Sequence, residues 1–254
     1  MKLAYRTIGE GQPLVILHGL FGSGDNWLTI SKVLSDRHQI FLVDQRNHGR
    51  SPHSDEWTYK AMADDLYAFL QEHNLQNPIL IGHSMGGKTV MQFAITYPNV
   101  ARKIVVVDIA PKLYPPHHQD VLAGLHAVDL ANITSRNDAE AAMATAIKEA
   151  DVRQFLLKNL YRNENGQFAW RVNLPLITQK IEEIGVTQTS PTPVQIPALF
   201  VRGALSKYIK DADLALIQNL FPNSELKTIE GAGHWVQAEK PAEFVQAVQP
   251  FLYE

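Results

Sequence analysis

Gly82-His83-Ser84-Met85-Gly86-Gly87-Lys88, residues 82–88, is the stretch on which the reading of this chain turns. Ile79-Leu80-Ile81 before it is a short apolar run of the kind that forms a buried strand. After it, Val90, Phe93, Ala94 and Tyr97 recur at the i, i+3, i+4, i+7 spacing of a helix. A strand that turns sharply into a helix around Gly-x-Ser-x-Gly presents its serine on a tight, strained turn. A side chain at Gly82 or Gly86 would collide with neighbouring backbone there. The helix aims its free N–H groups and its dipole at the same spot, which favours negative charge beside the serine. Extended to Thr89, the stretch also satisfies G-x-x-x-x-G-K-[ST], the pattern of a phosphate-binding loop. Val105-Val106-Val107-Asp108 offers an aspartate at a strand end that a bound metal would need. Two chemistries are open at this point, and the rest of the chain decides between them.

Working outward, strand and helix patterns alternate from the N-terminus. Residues 2–8 read as an edge strand and Leu14–Leu17 as a buried one that ends in His18-Gly19-Leu20. A helix through Trp27, Ile30 and Leu34 follows, with Ser23 or Asp25 as its cap. Then come a strand at Ile40–Val43, a helix at about Tyr59–His73, the central stretch, and a strand at 103–108. Such alternation predicts a mostly parallel sheet with helices on both faces, whose ligand lies at the carboxyl ends of the strands. His18, Asp44, Ser84 and Asp108 fall at such ends, so they share one edge. From Pro111 to Pro193 the strand pattern lapses and helical spacing takes over, in Val121, Leu122 and Leu125, in Val152, Phe155 and Leu156, and in Ile177, Ile181 and Ile184. We read residues 111–193 as a helical cap inserted into a core made of 1–110 and 194–254. The sheet resumes at Ala198–Val201 and ends with a strand at 225–229. His234 lies in the glycine-rich loop beyond it, and a closing helix runs through Phe244, Val248 and Leu252.

The totals exclude several classes. The chain has 254 residues, 45% hydrophobic and 19% charged, with a formal net charge of −3 and no cysteine. That suits one α/β domain with an insertion. It removes disulfides, thiolate metal sites and cysteine nucleophiles. No cluster of Lys and Arg with interleaved aromatics points to nucleic acid. No apolar run reaches the ~18 residues of a membrane span, and Met1-Lys2-Leu3-Ala4 leads straight into a strand pattern, so a cytoplasmic protein is expected. His117-His118 with Asp120 lacks a third ligand in a patterned position, so neither a metal nor a cofactor is expected.

A nucleophilic serine needs a base late in the chain and oxyanion donors early in it. His234 supplies the first, and the N–H groups of Leu20 and Met85 supply the second. A phosphate-binding loop explains neither, and it usually follows the first strand, whereas three strand patterns precede Gly82 here. The ordered stretches HGLFGSGDNW (18–27), DQRNHGRSP (44–52), GHSMGGK (82–88), VDIAP (107–111) and GAGHWVQAEKP (231–241) then carry a resemblance. They resemble the α/β-hydrolases, and more narrowly the YbfF-type bacterial esterases. The resemblance runs over nearly the whole chain and is weakest in the cap.

The resemblance implies Ser84 as nucleophile and His234 as general base and acid. Many α/β-hydrolases carry their acid just after the strand that follows the cap, but here Ser206 stands in that loop. Asp108 is the substitute on the neighbouring strand end, and the order Ser84, Asp108, His234 keeps the family's sequence of nucleophile, acid and base. Ser206 is then expected to bond to Asp108 or His234 in support. Asp211 is the fallback acid, better read as a helix N-terminal residue, and Asp44 is expected to pair with Arg46. His18 and His83 are expected to pack or hydrogen-bond beneath the site. Phe155, Leu156, Phe168 and Trp170 suit an apolar acyl group, although packing inside the cap explains them equally. Lys88 reads as solvated or cap-facing. The implied activity is hydrolysis of short-acyl carboxylic esters, with acyl-CoA thioesters as further candidates. A carbon–carbon bond hydrolase and a ligand receptor that keeps the triad are the alternatives.

Overall fold

A computed structural model describes residues 1–254. Nine strands form in chain order: β1 (Tyr5–Ile8), β2 (Gln12–Leu17), β3 (His38–Val43), β4 (Ile79–His83), β5 (Lys103–Val107), β6 (Leu160–Arg162), β7 (Phe168–Trp170), β8 (Ala198–Gly203) and β9 (Ser224–Ile229). Seven of them make one sheet in the order β1-β3-β2-β4-β5-β8-β9. All its pairings are parallel except that of β1, which lies antiparallel on β3 at the edge.

The five inner strands, β3, β2, β4, β5 and β8, carry apolar runs because both faces are covered, whereas the edge strands β1 and β9 are largely exposed. Successive side chains alternate between two cores. Val15, Leu17, Leu80, Val106 and Phe200 face one. There they meet α2 (Tyr59–Glu72), α3 (Met85–Thr96) and α8 (Leu214–Leu220). Leu14, Ile16, Ile81, Val105 and Val201 face the other. That side is closed by α1 (Leu28–Leu34), α9 (Val236–Glu239) and α10 (Pro241–Tyr253). Thr58 caps α2, its hydroxyl accepting from the Ala61 N–H, and Pro241 opens α10 where no internal N–H bond is needed.

Between β5 and β8 the chain builds α4 (Gln119–His126), α5 (Arg136–Met143), α6 (Ala150–Leu157) and α7 (Leu174–Gln179). The expectation of an all-helical segment needs one correction. β6 and β7 form an antiparallel hairpin within it, pairing Leu160 with Trp170 and Arg162 with Phe168. The Asn163-Glu164-Asn165-Gly166 turn, in which Gly166 has φ 76°, closes it. Apolar residues of this segment share a third cluster with Phe21, Trp57, Tyr59, Met62 and Met85 from the sheet side.

In the strand order the connection after β2 runs to β3 on one side, while the connection after β4 runs to β5 on the other. The crevice at the carboxyl ends of β2 and β4 is therefore the topological switch point, where ligands of open α/β sheets bind.

Candidate active site

Backbone geometry sets the site. Leu17 pairs with Gly82 at the ends of β2 and β4, and His83 pairs with Val107 at the ends of β4 and β5. The next residue on β4 is Ser84, with φ 53° and ψ −115°, a strained conformation for a residue with a side chain. Its N–H is bonded to Val107 O at 2.9 Å. A Cβ on Gly82 would strike the carbonyl of Gly86, and one on Gly86 would strike that of Leu17. Both glycines are therefore required by the close approach of backbone around the turn. Asp108 repeats the device one strand over. It has φ 52°, its N–H donates to Val201 O at 2.8 Å, and its side chain is fully buried.

Asp108 gathers three donors. Its Oδ2 accepts from His234 Nδ1 at 2.7 Å and from Ser206 Oγ at 2.5 Å, and its Oδ1 accepts from Gly203 N at 3.2 Å. With Nδ1 committed to the carboxylate, Nε2 is the ring nitrogen that His234 has left. Ser84 and His234 line one cavity of about 690 Å³. The Ser84 hydroxyl forms no hydrogen bond in the structure. Bonds of this kind often tighten only once a substrate is bound. Asp211 makes no bond to this cluster and pairs instead with Arg202 at 2.7 Å, its own carboxylate exposed.

The remaining histidines of the edge are neutral supports. His18 donates from Nδ1 to Gly19 O at 2.8 Å and accepts the Gln45 N–H on Nε2 at 3.0 Å, which fixes its tautomer; burial lowers its pKa. Burial also pushes His83 down to about 3, and its Nε2–H donates to the carbonyl of His234 at 2.8 Å. Asp44 does not pair with Arg46 as expected. It accepts the backbone N–H groups of Gly24 and Arg50, and Arg46 reaches Asp65 at 2.6 Å instead. The two side chains leave their turn in different directions, one to hold loops and the other to hold α2.

Leu20 lines the large cavity. Met85 opens α3, so its N–H is one of those a helix leaves without an internal partner. A lobe of about 20 Å³ adjoins the cavity at Ser84 and reaches Met85, Ile109 and Lys88. On the side of residues 111–193, Val121, Val152, Phe155 and Leu156 form the apolar wall. Trp170 is not part of it. Pairing of β7 with β6 leaves it half-buried, packed with Phe168 against the third cluster. Trp235 lines the cavity in its place, its ring 5.6 Å from that of Phe155. Its position next to His234 in the Gly-rich loop was the available signal.

Lys88 is buried rather than solvated. Its Nζ donates to the carbonyls of Lys112 (2.9 Å), Gly185 (3.0 Å) and Val186 (2.5 Å), so it ties the chain just after β5 to the chain that leads back toward β8. Burial pushes its amine down to about 7. Thr89 Oγ1 donates to Gln45 Oε1 at 2.8 Å and lies 3.1 Å from Met85 O. The lysine and threonine that a phosphate-binding loop directs at nucleotide and metal are thus both engaged with protein, and that reading falls. His117 and His118 are likewise not assembled with a third ligand; His117 Nε2 bonds to the Tyr208 hydroxyl at 2.6 Å.

Comparison with known proteins agrees with this geometry. The family model described as "alpha/beta hydrolase fold" matches residues 12–241. The chain is 41% identical to an sn-1-specific diacylglycerol lipase ABHD11 of Danio rerio, over 96% of this chain and 79% of that protein. It is 37% identical to esterase YbfF of Escherichia coli, over 96% of this chain and 94% of that one. A solved structure described as a marine microorganism esterase superposes with a TM-score of 0.96 at 44% identity, covering 98% of this chain and 99% of that chain. With the sheet, the serine turn and these matches together, the chain belongs to the α/β-hydrolase family.

Proposed function

We propose that the protein is a serine esterase that forms an acyl-enzyme on Ser84. It is a carboxylic ester hydrolase; the finer reading concerns the residues and the substrate. His234 takes the Ser84 proton as the hydroxyl attacks the ester carbonyl, then gives that proton to the departing alkoxide. In the second half it draws a proton from the water that attacks the acyl-enzyme carbonyl, then returns that proton to Ser84 Oγ as the carboxylic acid departs. Asp108 holds His234 by Nδ1 and stabilises the imidazolium, and Ser206 supports the carboxylate. The N–H groups of Leu20 and Met85 receive the oxyanion, helped by the N-terminus of α3.

The observation that carries this reading is the 2.7 Å contact from Asp108 to His234, made in the cavity that Ser84 lines. Residues 111–193 act as the cap over that cavity, with Phe155 and Leu156 against the substrate's apolar part. A cavity of about 690 Å³ has the size of a small-molecule site, and the short-acyl preference rests on the resemblance to the bacterial esterases. Lys158 is the one Lys or Arg side chain on its wall, which offers little to the phosphates of an acyl-CoA and favours oxygen esters over such thioesters.

Intact mass after treatment with a fluorophosphonate tests the proposal. One adduct is expected on the wild type and none on Ser84→Ala, with turnover of p-nitrophenyl acetate lost in the same variant. An unlabelled, inactive wild type overturns the proposal in favour of a binding protein.

A further inference from the structure

The His234 imidazole is held by more than its carboxylate. The Tyr208 ring is stacked on it, with centroids 4.0 Å apart and planes inclined by only 17°. The His83 ring lies 4.7 Å away at 44°. Tyr208 is itself fixed at three points. Its N–H donates to Ser206 Oγ at 3.2 Å, the same hydroxyl that donates to Asp108. Its carbonyl accepts from the Tyr114 hydroxyl at 2.6 Å. Its own hydroxyl meets His117 Nε2 at 2.6 Å. Burial, with the nearby Asp108 carboxylate second, pushes the Tyr208 phenol up to about 12, so it is the donor in that bond. His117 Nδ1 lies 3.1 Å from Pro115 O and carries the ring proton. One tyrosine thus touches the base, the support of the acid and the loop that leads into α4.

We propose that Tyr208 is a positioning residue for ester hydrolysis: its ring fixes the plane of His234 and stabilises its protonated form, and its hydroxyl on His117 seats this platform against the cap. The inference rests on the reading of His234 as the general base. An aromatic face carries the negative part of the ring quadrupole and attracts a cation lying over it. His234 is neutral before the attack and imidazolium in the tetrahedral state, so the attraction grows along the reaction coordinate and lowers the barrier. The groups facing His234 are the Asp108 carboxylate at the end of β5, His83 from β4, Ser206 and Tyr208 after β8, and His117 and His118 before α4. Glu239 on α9 holds the His234 loop through the Gly233 and Trp235 N–H groups. His118 is pushed down to about 4 by burial and stays neutral across the working range.

The test is the pH dependence of kcat/KM on p-nitrophenyl acetate for the wild type, Tyr208→Leu and Tyr208→Phe. Leucine keeps the burial of His234 but removes the π face, so the imidazolium loses support. The acid limb is expected to move to lower pH by about half a unit or more, and kcat to fall about tenfold with KM little changed. Phenylalanine is expected to keep the wild-type acid limb, because it keeps the face. Pentafluorophenylalanine at position 208, which keeps the shape and reverses the quadrupole, is expected to move the limb as leucine does and serves if the leucine variant does not fold. A limb unmoved by leucine or the fluorinated ring, in a wild type that is active and labelled at Ser84, overturns the inference alone. An unlabelled, inactive wild type overturns the esterase reading and this inference with it.

Discussion

The two walls of the cavity are built by different means. On the sheet side, Ser84 and Asp108 hang from adjacent strand ends at φ 53° and 52°, each with its N–H bonded to the next strand. A shift of either group would break sheet hydrogen bonds. On the cap side, Val121, Val152, Phe155 and Leu156 stand on α4 and α6, helices of eight residues each. Helices so short are marginal alone and depend on packing, here the apolar cluster shared with Phe21, Trp57, Tyr59, Met62 and Met85. The difference separates two tasks. Reactive groups sit where backbone fixes them, and the surface that meets the substrate sits where substitutions can reshape it without moving the chemistry.

The sharpest break in this comparison comes from the acid. Asp108→Asn is expected to lower kcat on p-nitrophenyl acetate by about 10⁴-fold, since an amide at this position favours the wrong tautomer of His234. Asp211→Asn is expected to leave kcat within about twofold, because the Asp211–Arg202 pair is a surface ion pair. The reverse pattern in steady-state rates would move the acid out of the strand-end constellation and with it the claim that backbone alone sets the reactive groups.

Legibility in the sequence follows the same division. Buried parallel strands appear as apolar runs, the switch from strand to helix period marks Ser84, and Ser206 in the loop after β8 directs attention to Asp108 on its neighbour. These signals are local. The cap gave weaker ones. Its hairpin is three residues on each side, too short for an alternating pattern to separate Phe168 and Trp170 from helical spacing. Lys88 was legible as a residue and not as a device, because its partners are backbone carbonyls 24, 97 and 98 positions away, and any sequence supplies carbonyls. Tyr208 had no motif, since ring stacking on His234 depends on a loop path that periodicity does not encode. The expected Asp44–Arg46 pair failed for a related reason: closeness in sequence says nothing of direction within a turn.

Lys88 allows the cap side to be loosened while the strand ends stay as they are. Lys88→Met leaves three carbonyls without their donor, and an unsatisfied buried polar group costs about 1–3 kcal/mol. Partial access to water reduces the sum, so a loss of about 2–4 kcal/mol in urea unfolding is expected. Fluorophosphonate labelling of Ser84 should persist, and the kinetic change should fall chiefly on KM. Loss of labelling with unchanged stability would show that Lys88 acts on the serine turn rather than on the cap.

The smallest expected effect lies where the two walls touch. Asn159 Nδ2 donates to Phe21 O at 2.7 Å and to Leu156 O at 3.2 Å, joining the end of α6 to the loop that carries Leu20. Phe21 has φ 58°, so this loop holds a conformation its own residues do not favour. Asn159→Ala removes the cross-wall bond at a cost of about 1 kcal/mol in thermal unfolding. Because Leu20 precedes Phe21, slack in the loop should misplace the oxyanion donor proposed there, and kcat should fall by about threefold to tenfold with KM nearly constant. That split is the opposite of the one expected for Lys88→Met. The two variants together tell whether the cap acts on the reaction only through the room it leaves the substrate or also through the loop that holds the oxyanion donor. If Asn159→Ala lowers kcat as far as Asp108→Asn does, the oxyanion loop is set by the cap and not by β2, and the separation of the two walls fails at that point.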